Sequence, residues 1–139
     1  ALAWLITAEQ VAVQLAAWVT RVATHPWEFL LFVNVALLML GMFIEPLPAM
    51  LLTAPLLLPI AQTFHIDLVH FGVVVTANLA IALVHPPAGP ALFIAAKLAD
   101  VRIGAATRAL MPLLAANLVV LLLITYIEPL SLFLVRYVR

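Results

Sequence analysis

The apolar positions of this chain fall into long runs that contain no charged side chain. Four uncharged windows cover residues 29–44, 46–66, 68–96 and 109–127. Because an α-helix rises about 1.5 Å per residue, windows of this size approach or reach the ~20 apolar residues that cross a ~30 Å hydrocarbon core. The pattern therefore predicts an all-α protein whose elements lie in a membrane.

The first two windows predict a pair of short helices rather than one traverse. Residues 27–40 are apolar for about 14 residues, which is roughly two thirds of the thickness of the hydrocarbon core. The segment 41–48 then supplies a glycine, two prolines and the carboxylate of Glu45, a composition typical of a turn, and Pro48 suits the first turn of a second helix. We therefore predict a re-entrant hairpin over 27–63, a course that is allowed where protein or a watery cavity covers the backbone.

The third window predicts a transmembrane helix with a break inside it. A helix starts near Val69 and meets the sequence V-H-P-P-A-G-P at 84–90, where paired prolines remove backbone donors and prevent the turn before them from being helical. Pro90 suits the first turn of a new helix that ends near Asp100. We thus predict a discontinuous helix over 69–100, with unpaired carbonyl groups where its first half ends and unpaired N–H groups where its second half starts.

The two ends of the chain predict one amphipathic helix and one spanning helix. Residues 1–26 place Trp4 and Trp18 among Glu, Gln and Arg side chains, which is typical of a helix at the lipid headgroup level. Residues 108–135 contain the last apolar span. Because the chain opens on an apolar helical pattern without a basic leader, we expect it to be a piece of a longer protein. The connection before the last span carries basic side chains that favour the cytoplasmic side: Lys97, Arg102 and Arg108.

Composition excludes several classes of function. Hydrophobic residues make up 68% of the 139 positions and charged residues only 9%, against about 25% charged residues in a soluble globular domain. Six basic and six acidic residues give a net charge of zero, so no overall field would attract nucleic acid. The chain has no cysteine and shows no nucleophile with a base or phosphate-binding glycine loop, so we expect no enzymatic activity.

The turn and the helix break carry the side chains that could bind an ion or a solute. A charged Glu45 would cost about 2.5 to 3.5 kcal/mol at the bilayer centre, so it should face protein, water or an ion, and a solvated turn is an equal alternative. His85 could bind a ligand, carry a proton or cap the first half-helix. Asn34 and Asn78 could each offer an amide oxygen, although an interhelical hydrogen bond is the favoured role for a lone asparagine.

The remaining polar side chains are expected to have structural roles. Thr76 should bond to its own helix backbone, and Thr125 in the last span resembles a packing residue. Three histidines show no spacing typical of a metal site, which normally needs three or four converging ligands: His25, His65 and His70.

Several short segments follow one another over nearly the whole chain. They are G-M-F-I-E at 41–45, P-A at 48–49, the prolines at 55 and 59, H-F-G at 70–72, N-L at 78–79 with Ile81, P-P at 86–87 with Gly89, and L-F at 92–93. In this order and spacing they resemble the large membrane subunit (DctM-like) of tripartite ATP-independent periplasmic (TRAP) transporters.

The resemblance implies an elevator-type secondary transporter with the ion-transporter-superfamily fold. It has two inverted repeats, of which this chain would supply only the second. The implied coupling ion is Na⁺, held mostly by backbone at the turn and the break, with the substrate nearby. The Na⁺ site would involve Gly41, Met42, Glu45, Ala82, His85 and Pro86, and the substrate would lie near Asn78, Pro87 and Gly89.

The resemblance also implies a substrate, partners and a location. The expected substrate is an organic acid, such as a C4-dicarboxylate or sialic acid. The expected partners are a small TRAP membrane subunit, a periplasmic solute-binding protein and membrane lipid, with no nucleic acid. The expected location is the bacterial inner membrane, with a multi-pass topology.

Three positions depart from the family pattern. The pattern usually has aspartate where Glu45 stands, glycine where Ala82 stands and threonine where His85 stands. Glu45 keeps the charge with one more methylene, Ala82 reduces the backbone freedom at the break, and His85 replaces a small hydroxyl with a ring. We therefore expect a changed second sodium site and altered ion coupling.

Two other functions fit parts of the pattern. One is a related ion-coupled carrier that works without a binding protein, against which the H-F-G segment at 70–72 argues. The other is a structural membrane subunit without a substrate path, in which the turn and the break would be irregularities of packing.

Overall fold

The computed structural model describes residues 14, 17, 19, 21, 23–87 and 89–138, and the regular secondary structure of these residues is α-helical. The amphipathic helix predicted over 1–26 lies largely outside the described residues. Within them, helices follow in the order α1 (Pro26–Gly41), α2 (Pro46–Thr63), α3 (Leu68–Ala82), α4 (Pro90–Leu98), α5 (Ile103–Tyr126) and α6 (Glu128–Val138).

Two of the described helices, α2 and α5, are long and apolar enough to cross a membrane. They contain 18 and 24 residues, whereas α1 and α3 are shorter apolar helices. Few side chains of α2 and α5 are buried in this chain, and the exposed ones include Leu51 and Leu122. An apolar surface of this extent is the kind that meets lipid or other protein. The architecture is thus that of an all-α integral membrane protein, as the charge-free windows predict.

Helix α3 lies at the centre of the fold and contacts α1, α2, α5 and α6. Its buried side chains recur at intervals of three or four residues, which places them on one face. The outward side of the helix carries Thr76, whose hydroxyl donates to the carbonyl of Gly72 at 2.8 Å, so the prediction for Thr76 is confirmed. The buried residues of α3 are His70, Phe71, Val74, Val75, Asn78, Leu79 and Ala82.

Helices α1 and α3 run side by side in the same direction. The ring of Phe29, at the start of α1, stacks on the ring of Phe71, at the start of α3, with centroids 6.0 Å apart. The same ring lies 5.2 Å from that of Phe64 at the end of α2. Stacked pairs contribute about 0.5 to 1.5 kcal/mol beyond the area that they bury. The three rings therefore join α1, α2 and α3 at the end opposite to the α1–α2 turn.

The single helix predicted over 108–135 is two helices in the structure. Helix α5 begins at Ile103, directly after Arg102, whose φ of −66° and ψ of 139° are extended. The helix ends before Ile127, whose φ of −105° and ψ of 79° lie outside the helical region. Pro129 follows and has no N–H for the carbonyl four residues before it. The segment 108–135 is therefore divided at Ile127, where the last uncharged window of the sequence also ends.

Candidate functional site

The turn after α1 and the break after α3 begin at the same place in the fold. Gly41 ends α1 and Ala82 ends α3, and both residues are buried. A Cβ built on Gly41 would lie 2.6 Å from the Cβ of Ala82 and 3.3 Å from the Cδ2 of Leu79. Because real Cβ atoms essentially never approach so closely, only glycine fits at 41 while alanine stands at 82. The contact brings the C-terminal ends of two parallel helices together.

The turn at 42–45 leaves carbonyl oxygens without backbone donors. Pro46 and Pro48 have no N–H to give to the carbonyls four residues before them. The carbonyl of Leu40 accepts from the N–H groups of Phe43 and Ile44, each at 3.1 Å. No turn or cap hydrogen bond among the described residues reaches the carbonyls of 41–44. Carbonyls of this kind at membrane depth can coordinate a cation.

The break between α3 and α4 pairs part of its own backbone. The prolines at 86–87 withhold the donors that the carbonyls of Ala82 and Leu83 would receive in a continuous helix. Other groups replace them, since the N–H of His85 donates to Ala82 at 3.1 Å and the N–H of Ala91 donates to Leu83 at 3.1 Å. The expectation that the carbonyls and N–H groups at this break are unpaired was therefore wrong for these groups. The shortness of the break lets its two ends bond to each other.

Gly89 lies against the backbone of the residues at the start of the break. Its N–H donates to the carbonyl of His85 at 2.9 Å. A Cβ at this position would lie 2.6 Å from the carbonyl oxygen of Leu83 and 2.8 Å from both the nitrogen and the oxygen of His85. The Pro86–Pro87 peptide bond within the break is cis. The break is thus a compact loop that needs glycine where it returns to α4.

Two buried side-chain atoms near the break lack a hydrogen-bond partner among the described residues. They are the Oδ1 of Asn78 and the Nδ1 of His85. Asn78 is fully buried, and its Nδ2 donates to the Oδ1 of Asn34 at 2.7 Å and to the carbonyl of Val74 at 2.8 Å. The interhelical bond favoured for these asparagines is therefore present, but one acceptor remains. A buried acceptor without a partner costs about 1 to 3 kcal/mol, which a donor or cation would relieve.

Glu45 stands at the start of α2, on the outer side of the turn. Its side chain is exposed and forms no cap hydrogen bond, while its carbonyl accepts from the N–H of Ala49 at 3.0 Å. A carboxylate at this place is favoured by the positive end of the α2 dipole. Within this chain the carboxylate therefore faces outward from the turn rather than into the packed core.

A buried polar cluster between α1, α3 and α5 was not predicted from the sequence. The Nδ2 of Asn34 donates to the hydroxyl of Thr125 at 3.0 Å. The buried ring of His70 lies with Nε2 at 3.2 Å from the carbonyl oxygen of Thr125 and with Nδ1 against the hydroxyl of Ser131. The prediction that Thr125 only packs was therefore wrong. The sequence signal that could have found it is Pro129, which leaves the Thr125 carbonyl without its helical donor.

Comparison with protein families decides the affiliation of the chain. Residues 1–130 match the family described as the DctM component of the tripartite ATP-independent periplasmic transporter. The chain belongs to the DctM family. The family prediction made from the short segments is thus confirmed.

Three curated relatives of this DctM chain illustrate the similarity. The C4-dicarboxylate TRAP transporter large permease protein DctM of Pseudomonas aeruginosa is 41% identical over 130 residues, which are 94% of this chain and 30% of the relative. The sialic acid TRAP transporter permease protein SiaT of Haemophilus influenzae is 41% identical over 121 residues, 87% of this chain and 20% of the relative. The isethionate TRAP transporter permease protein DctMQ of Oleidesulfovibrio alaskensis is 38% identical over 129 residues, 93% of this chain and 20% of the relative. The DctM chain therefore spans between a fifth and a third of the length of these relatives.

The residues predicted to bind the ion and the substrate differ in their exposure in this DctM chain. Gly41, Asn78, Ala82 and Gly89 are buried, Met42, His85 and Pro86 are half-buried, and Glu45 and Pro87 are exposed. Gly41 and Ala82 are brought into contact, and so are Gly89 and His85.

Proposed function

We propose that this chain is the second inverted repeat of a TRAP large permease and contributes to Na⁺-coupled transport of an organic acid in an elevator-type mechanism. In this proposal α1 and α2 form a re-entrant hairpin over 27–63. Helices α3 and α4 are the halves of a discontinuous transmembrane helix over 69–100. A sodium ion binds between the turn of the hairpin and the break.

The observation that carries the proposal is the meeting of Gly41 with Ala82. Helices α1 and α3 run in parallel, so their C-terminal ends lie side by side at this contact. Each helix end carries the equivalent of about half a negative charge, and two such ends together favour a cation. Secondary transporters bind Na⁺ at half-helix C-terminal ends and unwound carbonyls in this manner.

The proposed ligands are oxygen atoms close to this contact. The carbonyls of 41–44 have no described turn or cap donor, and the Oδ1 of Asn78 is buried without a partner one turn before Ala82. Oxygen atoms of carbonyl and amide groups are the ligands that hard cations prefer. We therefore include backbone at Gly41, Met42, Ala82 and Pro86 among the proposed sources of coordination, with Glu45 adding negative charge at the rim of the turn.

The departures from the family pattern at Ala82 and His85 affect the proposed binding of Na⁺. The Cβ of Ala82 fills space beside Gly41 that a glycine would leave open. The ring of His85 brings a buried nitrogen where the family pattern has a hydroxyl oxygen, and nitrogen is a poorer ligand for a hard cation than oxygen. We propose that the second sodium site is weakened and that the coupling ratio of the full-length permease differs from that of relatives with glycine and threonine at these positions.

The proposed substrate is a small organic anion. The relatives are named for a C4-dicarboxylate, sialic acid and isethionate, all of which carry at least one acid group that is ionised at neutral pH. We place the substrate near Asn78, Pro87 and Gly89. A small TRAP membrane subunit and a periplasmic solute-binding protein complete the proposed transporter, which lies with its lipid in the bacterial inner membrane.

Uptake by the full-length permease in proteoliposomes, together with its small subunit and binding protein, tests this function. Radiolabelled C4-dicarboxylate, sialic acid and isethionate are offered in turn under an inward Na⁺ gradient, with a K⁺ gradient as reference. We expect uptake of one of them with Na⁺ only, and altered Na⁺ dependence for Glu45→Ala and for His85→Thr. Glu128→Ala is the matched control, because Glu128 is an exposed carboxylate at the start of α6.

Two results of this assay would overturn the proposal. Uptake that is indifferent to Glu45→Ala and to His85→Thr would favour a structural subunit whose turn and break have no part in transport. Uptake that proceeds without a binding protein would favour a related ion-coupled carrier.

A further inference from the structure

His70 lies buried where α5 gives way to α6. Its side chain is 3% exposed, although it belongs to α3 and is distant in sequence from both helices. Its Nε2 lies 3.2 Å from the carbonyl oxygen of Thr125, and its Nδ1 contacts the hydroxyl of Ser131. The ring therefore touches the last turn of one helix and the first turn of the next.

The break between these helices explains why the Thr125 carbonyl needs His70. In a continuous helix this carbonyl would accept from the N–H of residue 129, which is a proline and has none. The other bonds at the break run from Ile127 to Leu123 at 2.9 Å and from Leu130 to Ile127 at 2.9 Å, so neither serves Thr125. A buried carbonyl without a donor is destabilising, and His70 supplies the missing donor.

The chemistry of the two contacts defines the proton positions on the ring. A carbonyl oxygen only accepts, so Nε2 must carry the hydrogen that it donates to Thr125. The neutral ring then has an acceptor at Nδ1 beside the Ser131 hydroxyl, whose single hydrogen is offered either to this nitrogen or to the carbonyl of Glu128 at 2.9 Å. A glutamine could reproduce both roles with its amide, whereas a leucine of similar size could reproduce neither.

From Thr125 the contacts continue to the candidate ion site. The Thr125 hydroxyl is bonded to the amide of Asn34 at 3.0 Å, and the Oδ1 of Asn34 accepts from Asn78 at 2.7 Å. All four side chains are at most 3% exposed. The path thus leaves α3 at His70, passes through α5 and α1, and returns to α3 at Asn78, whose Oδ1 is the unpartnered acceptor one turn before the break.

We propose that His70 is a positioning residue for the ion site. By donating to the carbonyl that Pro129 leaves without a donor, it fixes the α5–α6 break, and through Thr125 and Asn34 it fixes the orientation of the Asn78 amide. This inference rests on the proposed function, because the site that His70 positions is the proposed sodium site. His70 itself does not touch the ion.

Sodium-dependent thermal stabilisation of the purified full-length permease tests the role of His70 without knowledge of the substrate. The unfolding midpoint is recorded while NaCl replaces choline chloride at constant ionic strength, and the Na⁺ concentration for half of the maximal stabilisation is compared among variants. We expect His70→Leu to raise this concentration about 2- to 30-fold, the range found for changes along coupled networks. His70→Gln should stay within about 2-fold of the wild type, because its amide retains both hydrogen bonds.

A control and a second variant make the result specific. Leu114→Ala removes a buried side chain of α5 that belongs to no polar contact, so it should lower the midpoint in the absence of Na⁺ without moving the half-saturating concentration. Ser131→Ala removes the Nδ1 contact together with the local bond from the Ser131 hydroxyl to the carbonyl of Glu128 at 2.9 Å, and it leaves the bond from Nε2 to Thr125 in place. It should give a smaller shift than His70→Leu in the same direction, which keeps the test open if His70→Leu does not fold. A Na⁺ dependence equal to that of the wild type in both Ser131→Ala and any folded His70→Leu would overturn the positioning role.

Hydrogen exchange separates failure of this inference from failure of the proposed function. We expect the amides of 127, 128, 130 and 131 to exchange faster in His70→Leu than in Leu114→Ala. If the wild type shows no stabilisation by Na⁺, the proposed sodium site fails, and with it the role of His70 there, even when the exchange result identifies the histidine as a support of the break. If the wild type responds to Na⁺ and His70→Leu responds with the same half-saturating concentration, only the positioning role fails.

Discussion

The Cβ of Ala82 lies so close to Gly41 that a Cβ on Gly41 would meet it at 2.6 Å. This contact joins the last residue of α1 to the last residue of α3. Because both helices run in the same direction, the negative ends of their dipoles lie together at the contact. The size of these two side chains therefore controls how closely the turn and the break approach each other.

Gly41→Ala should destabilise the protein. The added methyl group would overlap a buried methyl group rather than the flexible end of a long side chain, so the two helices must separate. We expect a loss of about 1 to 3 kcal/mol, the usual effect of overpacking a core. Thermal unfolding of the permease in detergent, without Na⁺, measures the loss.

The matched control for this change is Gly72→Ala. Gly72 also lies in a helix, but a Cβ there would have nothing within 4 Å, so the change should be neutral or stabilise by up to about 1 kcal/mol through helix propensity. Adding Ala82→Gly to Gly41→Ala should recover most of the stability, because it removes the opposing methyl group. Equal losses for Gly41→Ala and Gly72→Ala would contradict the interpretation.

Gly89→Ala should open the break between α3 and α4. All three atoms that a Cβ would meet belong to the backbone, at 2.6 to 2.8 Å, so no rotation of a side chain can relieve the overlap. The bond from the Ala91 N–H to the Leu83 carbonyl, 3.1 Å in the structure, should then be lost. Hydrogen exchange should show a faster Ala91 amide, whereas Gly104→Ala, at a glycine with open surroundings, should leave that amide unchanged.

The irregular segments of the fold could be predicted because proline acts locally. The pairs at Pro46 with Pro48 and at Pro86 with Pro87 remove donors from known carbonyls whatever the tertiary structure is. The turn after Gly41 and the interruption after Ala82 therefore follow from the sequence alone. Pro129 carries the same signal, since the last uncharged window ends at 127, directly before Glu128 and Pro129, and α5 ends at Tyr126.

The polar partners could not be predicted, because they depend on how the helices pack. Asn34 and Thr125 are 91 positions apart, and nothing in either local sequence says that α1 and α5 expose these residues to each other. The hydrogen-bond partners of His70 could not be predicted for the same reason. The bond from the Ala91 N–H to the Leu83 carbonyl depends on how tightly the break folds. The prolines show which donors are missing, but they do not show which other donors replace them.

The amides of Asn34 and Asn78 should be energetically coupled. Replacing either residue with leucine leaves the polar group of the other buried without its partner, which costs about 1 to 3 kcal/mol. The double replacement should cost less than the sum of the single ones by about 0.5 to 3 kcal/mol, as for residues in direct contact. Unfolding of the four proteins in the same detergent gives this coupling energy.

A control pair makes the coupling specific. Asn78→Leu combined with Leu114→Ala should be additive within about 0.5 kcal/mol, because those residues share no hydrogen bond. Additivity of the Asn34 and Asn78 changes as well would mean that the 2.7 Å contact has no energetic effect.

His65→Gly should stabilise the protein. His65 follows the end of α2 with a φ of 57°, in the left-handed region that costs a residue with a Cβ about 1 to 2 kcal/mol. Its conformation lets the N–H of Ile66 donate back to the carbonyl of Ala61 at 3.1 Å, a helix ending in which glycine is the usual residue. The side chain is exposed, so its removal should sacrifice little packing, and we expect a net gain of about 1 kcal/mol in the free energy of unfolding. Ile94→Gly, at an exposed position in the middle of α4, should instead lose about 0.5 to 1 kcal/mol, and changes of the same sign at both positions would refute the conformational argument.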